Sequence, residues 1–171
     1  MTSRRHLAAI MTAAALFSSG SAQAVNWALE AGATSEDTAA LGVMVHNDES
    51  LLSDWLSGAW RLGLSTGVQL YEGDRESDNA AWIVRPALRY TAQGGIPWFA
   101  EAGIGAALFL DTRLESRDLG SAFQFEDRLA LGMPLGSGEL RLSVRHYSNA
   151  DIKLPNEGFE VLSLGYRLGS F

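Results

Sequence analysis

His146 and Ser148 stand two residues apart, and Glu160 follows twelve residues after the serine. These side chains suit acyl transfer: a hydroxyl as nucleophile, an imidazole to take its proton, and a carboxylate to hold the imidazole's tautomer and stabilise the imidazolium. Asn149, next to the serine, could offer an amide donor to a developing oxyanion, a role that backbone amides of the following turn could equally fill. His-x-Ser pairs also arise by accident, so the chemistry depends on what brings the carboxylate to them. Four further polar residues need placing. Asp127 falls among apolar residues, His46 reads as an exposed turn residue, and Asp151 and Glu157 read as solvated loop charges.

The elements that must position these groups are strands. From Ala59 to Tyr71, Trp60, Leu62, Leu64, Val68 and Leu70 occupy every second position, with Thr66 the one weak member. That is the period of a strand. The pattern recurs at Trp27–Ala33, Leu41–Val45, Trp82–Tyr90, Trp98–Leu110, Phe123–Met133, Leu140–Val144 and Leu162–Leu168, with turn-rich stretches at 73–79, 93–97 and 136–138 between some of them. Asp48 to Ser57 is a longer turn or a helical turn, which periodicity does not separate. Eight strands is an even number and allows closure.

Composition limits what such a chain can be. It has 171 residues, no cysteine, three histidines, and 20 acidic against 13 basic residues, a net charge of −7. Disulfide frameworks, thiol catalysis and zinc-finger sites are excluded, and general nucleic-acid binding is disfavoured. Arg4, Arg5 and His6, the apolar run Leu7–Phe17 and the small-x-small Ala22-Gln23-Ala24 give residues 1–24 the form of a cleaved secretory signal peptide. Residues 25–171 are then expected to form a single domain. No segment after residue 24 reaches about 18 consecutive apolar residues, the length a membrane helix needs.

A soluble ligand barrel or a sandwich would point the apolar face inward, whereas a membrane barrel points it outward. Residue size on the two faces separates them. The non-apolar face alternates Arg61, Gln69, Arg85, Arg89, Glu101, Gln124, Glu126, Arg128, Arg141, Arg145 and Arg167 with glycines, as the narrow lumen of an eight-stranded membrane barrel would. The apolar face places Trp27, Trp60, Trp82, Tyr90, Trp98 and Tyr166 at strand ends, as an interfacial girdle requires. The expected fold is therefore all-β, an eight-stranded antiparallel transmembrane barrel. On the strand Leu140–Val144 the lipid face continues through His146 and Ser148, and on Leu162–Leu168, read backwards, it continues to Glu160. A hairpin joining the two strands brings these residues together on the outside. A hairpin register through Gly136 to Glu139 sets Asp127 beside Ser148, on the same face unless a bulge turns it inward. Near a strand end such groups can also be ordinary headgroup-level residues, costing about 0–1 kcal/mol.

The segment RHYSNADIKLPNEGFE, Arg145 to Glu160, resembles the active-site hairpin of the outer-membrane lipid A 3-O-deacylases, the PagL family. The family's histidine, serine and glutamate map onto His146, Ser148 and Glu160, within the same His-Tyr-Ser-Asn-Ala run and with a Pro-Asn turn before the acid. Over the rest of the chain the likeness is one of barrel pattern and strand spacing. The resemblance implies an ester hydrolase of the Gram-negative outer membrane that removes the 3-hydroxyacyl chain at position 3 of lipid A without a cofactor. Its partner would be lipopolysaccharide in the outer leaflet, and homodimers are admitted by the self-association of family enzymes. Arg113, Arg117 and Lys153 could meet lipid A phosphates or simply be soluble surface charges. Alternatives are a non-catalytic structural or adhesive barrel, a soluble lipid-binding barrel, and a phospholipase with the same three residues.

Overall fold

In the computed structural model, which describes residues 26–47 and 58–168, the strand period closes into a barrel. The residues expected to form the signal peptide, and those of the 48–57 stretch, lie outside the described residues. The strands are β1 (Asn26–Thr34), β2 (Ala39–Asn47), β3 (Trp60–Tyr71), β4 (Asn79–Thr91), β5 (Phe99–Phe109), β6 (Arg113–Leu114), β7 (Arg117–Asp118), β8 (Phe123–Leu135), β9 (Gly138–Ser148) and β10 (Phe159–Leu168). Eight of them close in the order β1-β10-β9-β8-β5-β4-β3-β2, every pair antiparallel, while β6 and β7 form a small hairpin within the β5–β8 connection. Closure leaves no sheet edge, so strand backbones can pair inside a bilayer.

The outer face carries Leu29, Leu41, Leu108, Leu129, Leu142 and Leu162, all exposed, and the inner face carries the charges. This inverts a soluble core and matches a barrel solvated by lipid. Thr66 keeps the outer parity of β3 yet is buried, because its hydroxyl donates to the Ile83 carbonyl at 2.8 Å and accepts from Trp82 Nε1 at 3.0 Å.

The lumen has two storeys. In one, Arg85 pairs with Glu126 at 2.8 Å, Arg128 with Glu101 at 2.9 Å, and Arg141 and Arg167 each with Glu139 at 2.9 Å. Arg145 bridges Glu30 and Glu126, and Gln69 donates to Glu30 at 3.0 Å. Glu30 and Glu139 complete this network although the residue pattern did not single them out. Arg61 departs from expectation, since it is exposed and not enclosed. Above the ions, toward the longer loops, lies an aromatic plug. Tyr71 stacks on Phe109 at 5.5 Å and Tyr147 on Phe159 at 4.9 Å, and Phe109 meets Tyr147 edge-on. Each such contact contributes about 0.5–1.5 kcal/mol beyond burial. Tyr147 donates to Glu126 at 3.1 Å and so ties plug to network.

His46 also departs from expectation. It is 7% exposed and sits within β2 on the lumen side, in parity with the inward Met44. The strand runs two residues further than its apolar repeat, which carries His46 inside.

The girdle is one-sided. Trp60, Tyr90 and Trp98 touch in series at 5.0 and 5.7 Å near the end that also holds Trp27 and Tyr166, whereas Trp82 lies toward the other end. The long connections 110–122 and 149–158 occupy that other end, the extracellular side of such barrels.

Candidate active site

The β9–β10 ladder pairs Glu160 directly with His146, Val161 with Arg145 and Phe159 with Tyr147. Period-two alternation then sends His146, Ser148 and Glu160 outward while Tyr147 and Phe159 go into the plug. Each outward polar residue thus neighbours in sequence an aromatic anchor that is fully buried, which restrains the backbone beneath the site.

His146 Nδ1 lies 3.0 Å from Glu160 Oε1, with side chains 44% and 53% exposed. Ser148 is half-buried on the same face, one strand repeat above His146. The structure therefore brings the imidazole and the carboxylate into contact, and sets the serine beside them with no hydrogen bond to His146 among the described residues. In unliganded sites such bonds often tighten only when substrate is bound.

Asp127 is corrected in register. The β8–β9 ladder closes at Leu135 and Gly138 across the two-residue turn Gly136-Ser137, so Asp127 faces His146 and Phe125 faces Ser148. Gly136, at φ +61°, supplies the positive φ that so short a turn needs. The shift is by two residues, so parity is kept: Asp127 is exposed on the outer face and no bulge interrupts the ladder. One row across the outside therefore reads Ile104, Asp127, His146, Glu160, with the imidazole between two carboxylate-bearing positions.

Asn149 does something other than its position beside Ser148 suggests. It is 0% exposed, and its amide donates to the carbonyls of Leu119 at 2.8 Å and Lys153 at 2.7 Å. Its backbone N–H donates to Asn156 Oδ1 at 2.8 Å, and Asn156 in turn donates to Asp151 at 3.0 Å. Both donor groups are committed to fastening the loop. The fastening holds an unfavourable backbone: Ala150 and Asp151 have φ of 52° and 59°, each costing about 1–2 kcal/mol in that region. Glu157 accepts from the Asp118 N–H at 2.8 Å, so Asp151 and Glu157 are structural fasteners as well as exposed charges.

The neighbouring loops are cross-braced. Glu36 accepts from Ser116 and from Arg117 at 2.6 Å, which holds its carboxyl below the ordinary carboxylate value. Glu115 accepts the backbone N–H groups of Asp74 and Arg75 at 2.7 and 2.9 Å, with the same effect. Arg117 is thus engaged within the protein, and Arg113 lies 3.8 Å from Asp118, whereas Lys153 is exposed. Among the described residues no group of three or more His, Asp or Glu side chains is arranged to hold a metal ion.

Residues 38–169 match the family model of lipid A 3-O-deacylase (PagL). Over 169 residues the chain is 35% identical to the lipid A deacylase PagL of Pseudomonas aeruginosa, covering 94% of this chain and 95% of that protein. It is also 35% identical over 122 residues to the lipid A deacylase PagL of Bordetella bronchiseptica, 68% of each chain. Its fold superposes with a TM-score of 0.75 and 32% identity on the crystal structure of the outer membrane enzyme PagL, covering 84% of this chain and 99% of that one. The barrel, its outward polar row and these matches agree, and the chain belongs to the lipid A 3-O-deacylase (PagL) family.

Proposed function

We propose that this protein is a lipid A 3-O-deacylase of the outer membrane whose ester hydrolysis runs through Ser148, His146 and Glu160. The observation that carries this reading is the 3.0 Å contact between His146 Nδ1 and Glu160 on the lipid-facing surface, beside Ser148. A carboxylate and an imidazole on a lipid-facing strand end add no apolar burial to the wall, and they sit where an ester in the outer leaflet would arrive.

With its Nδ1–H donated to Glu160, the imidazole keeps a lone pair on Nε2. In the reaction Nε2 takes the Ser148 proton as Oγ attacks the 3-O-ester carbonyl of lipid A. Collapse of the tetrahedral intermediate expels the sugar 3-hydroxyl, which receives that proton from His146, and leaves the 3-hydroxyacyl chain on Ser148. Water, deprotonated by the same nitrogen, then releases the fatty acid. Glu160 stabilises the imidazolium in both halves. Backbone amides of the 149–158 turn remain the available oxyanion donors, because the Asn149 amide is engaged elsewhere.

The test is mass spectrometry of lipid A after incubation of lipopolysaccharide with the refolded barrel and with its Ser148→Ala variant. Loss of one 3-hydroxyacyl chain with the parent alone is the expected result. Intact lipid A from a folded parent would overturn the substrate assignment, and equal activity of the two proteins would overturn the nucleophile.

A further inference from the structure

Gly158 lies on the outer face between the three residues of the proposed site. It is one residue before the Phe159–Tyr147 pair, so continuing the ladder by one step sets it opposite Ser148, and it is two residues from Glu160. A Cβ built at Gly158 would stand 2.4 Å from the Tyr147 carbonyl oxygen, 3.1 Å from His146 Cε1 and 3.4 Å from Ser148 Cβ. The space that a Cβ would fill is taken first by the Tyr147 carbonyl and is bordered by the edge of the imidazole.

This distance, with the Glu160 contact, describes how the ring lies. His146 is paired across the ladder with Glu160, which holds Nδ1. Cε1, the ring atom between the two nitrogens, rests over Gly158, so the ring leans diagonally from Glu160 toward the level of Ser148. Nε2 follows Cε1 in the ring, on the side away from the carboxylate. We infer that Gly158 is a positioning residue for the deacylation: its missing side chain lets one imidazole reach both Glu160 and Ser148. The inference rests on the proposed roles of those residues.

A methyl group at 158 would act in two ways. The ring could give way by a few tenths of an ångström, but the Tyr147 carbonyl is backbone above the aromatic plug and cannot yield without shifting the ladder. Either movement displaces Nε2 relative to Ser148, and misplacing a catalytic group by about 1 Å costs about 10²-fold in rate.

The test compares Gly158→Ala with the parent in detergent. We expect kcat for lipid A deacylation to fall about 10²-fold with KM within about three-fold, and phosphonylation of Ser148 by a fluorophosphonate probe to slow in parallel. In a His146→Ala background, Gly158→Ala should cost nothing further. An unchanged kcat and labelling rate overturns the inference, as does an equal loss with and without His146, which would place the effect in the backbone alone. A parent that labels at Ser148 but leaves lipid A intact would defeat the substrate reading, while its labelling rates still judge Gly158. Should Gly158→Ala fail to fold, the unsubstituted barrel decides: a nuclear Overhauser contact between His146 Hε1 and the Gly158 α protons is expected, and its absence overturns the inference.

Discussion

The lumen and the outer polar row use the same chemical groups in opposite ways. Inside, Glu126 is reached by Arg85, Arg145 and Tyr147, and all four are buried. Outside, Glu160 holds His146 by one contact, and both side chains are about half exposed. A buried ion is costly unless several partners satisfy it, and each of the lumen carboxylates Glu30, Glu101, Glu126 and Glu139 is shared by two or more arginines. An ionisable group near the headgroup level costs only about 0–1 kcal/mol, so the pair can be retained for chemistry at little cost to the fold. The aromatic plug separates the two, since Tyr147 and Phe159 restrain from beneath the strands that carry the outer row.

Substitutions can break this contrast, beginning with the largest effect. Ser148→Ala should lower deacylation by at least about 10³-fold while leaving stability within about 0.5 kcal/mol, read from lipid A mass spectra and the urea unfolding midpoint. Glu126→Gln should do the reverse. It leaves Arg85 and Arg145 buried without their carboxylate and should destabilise by about 3–5 kcal/mol, with activity per folded molecule nearly unchanged. Unaltered stability would show that water readily replaces that carboxylate.

Smaller effects sharpen the comparison. Glu160→Gln should reduce kcat about 10²-fold or more, and Asp127→Asn by less, because among the described residues only Glu160 is hydrogen-bonded to the imidazole; a reversed order would transfer the orienting role to Asp127. The smallest effect is that of pH on the loops. The folded carboxyl of Glu36 lies below its unfolded value, held there by Ser116 and Arg117. Its contribution is therefore present above about pH 4.5 and is lost as pH falls through the folded value. Protease nicking within 110–122 should rise on acidification below about pH 4.5 and rise less steeply in Glu36→Gln, where Glu115, also held below its ordinary value, supplies the remaining dependence.

How much of this was legible in the chain follows from parity. Period two assigns a face without knowing which strand is adjacent, so the lipid-facing belt, most of the lumen arginines and the outward His146, Ser148 and Glu160 could all be read from residue order. The family resemblance of Arg145–Glu160 added the role of each. Parity does not say where a strand stops, and His46, the residue after the apolar repeat of β2, lies inside instead of in a turn. Nor does it fix register to better than two residues. Asp127 was expected beside Ser148 and stands beside His146, because the tight turn at Gly136-Ser137 closes the ladder earlier.

The sequence by itself determined the fold class and which side of the wall each residue occupies, because alternation is a local property of extended backbone. Tertiary structure alone decided partners. Glu30 meets Arg145 across 115 positions of chain, the Asn149 amide turns to Leu119 and Lys153, and the imidazole settles over Gly158. Such meetings depend on closure, stagger and turn length, which are set by the whole barrel and written in no single segment of it.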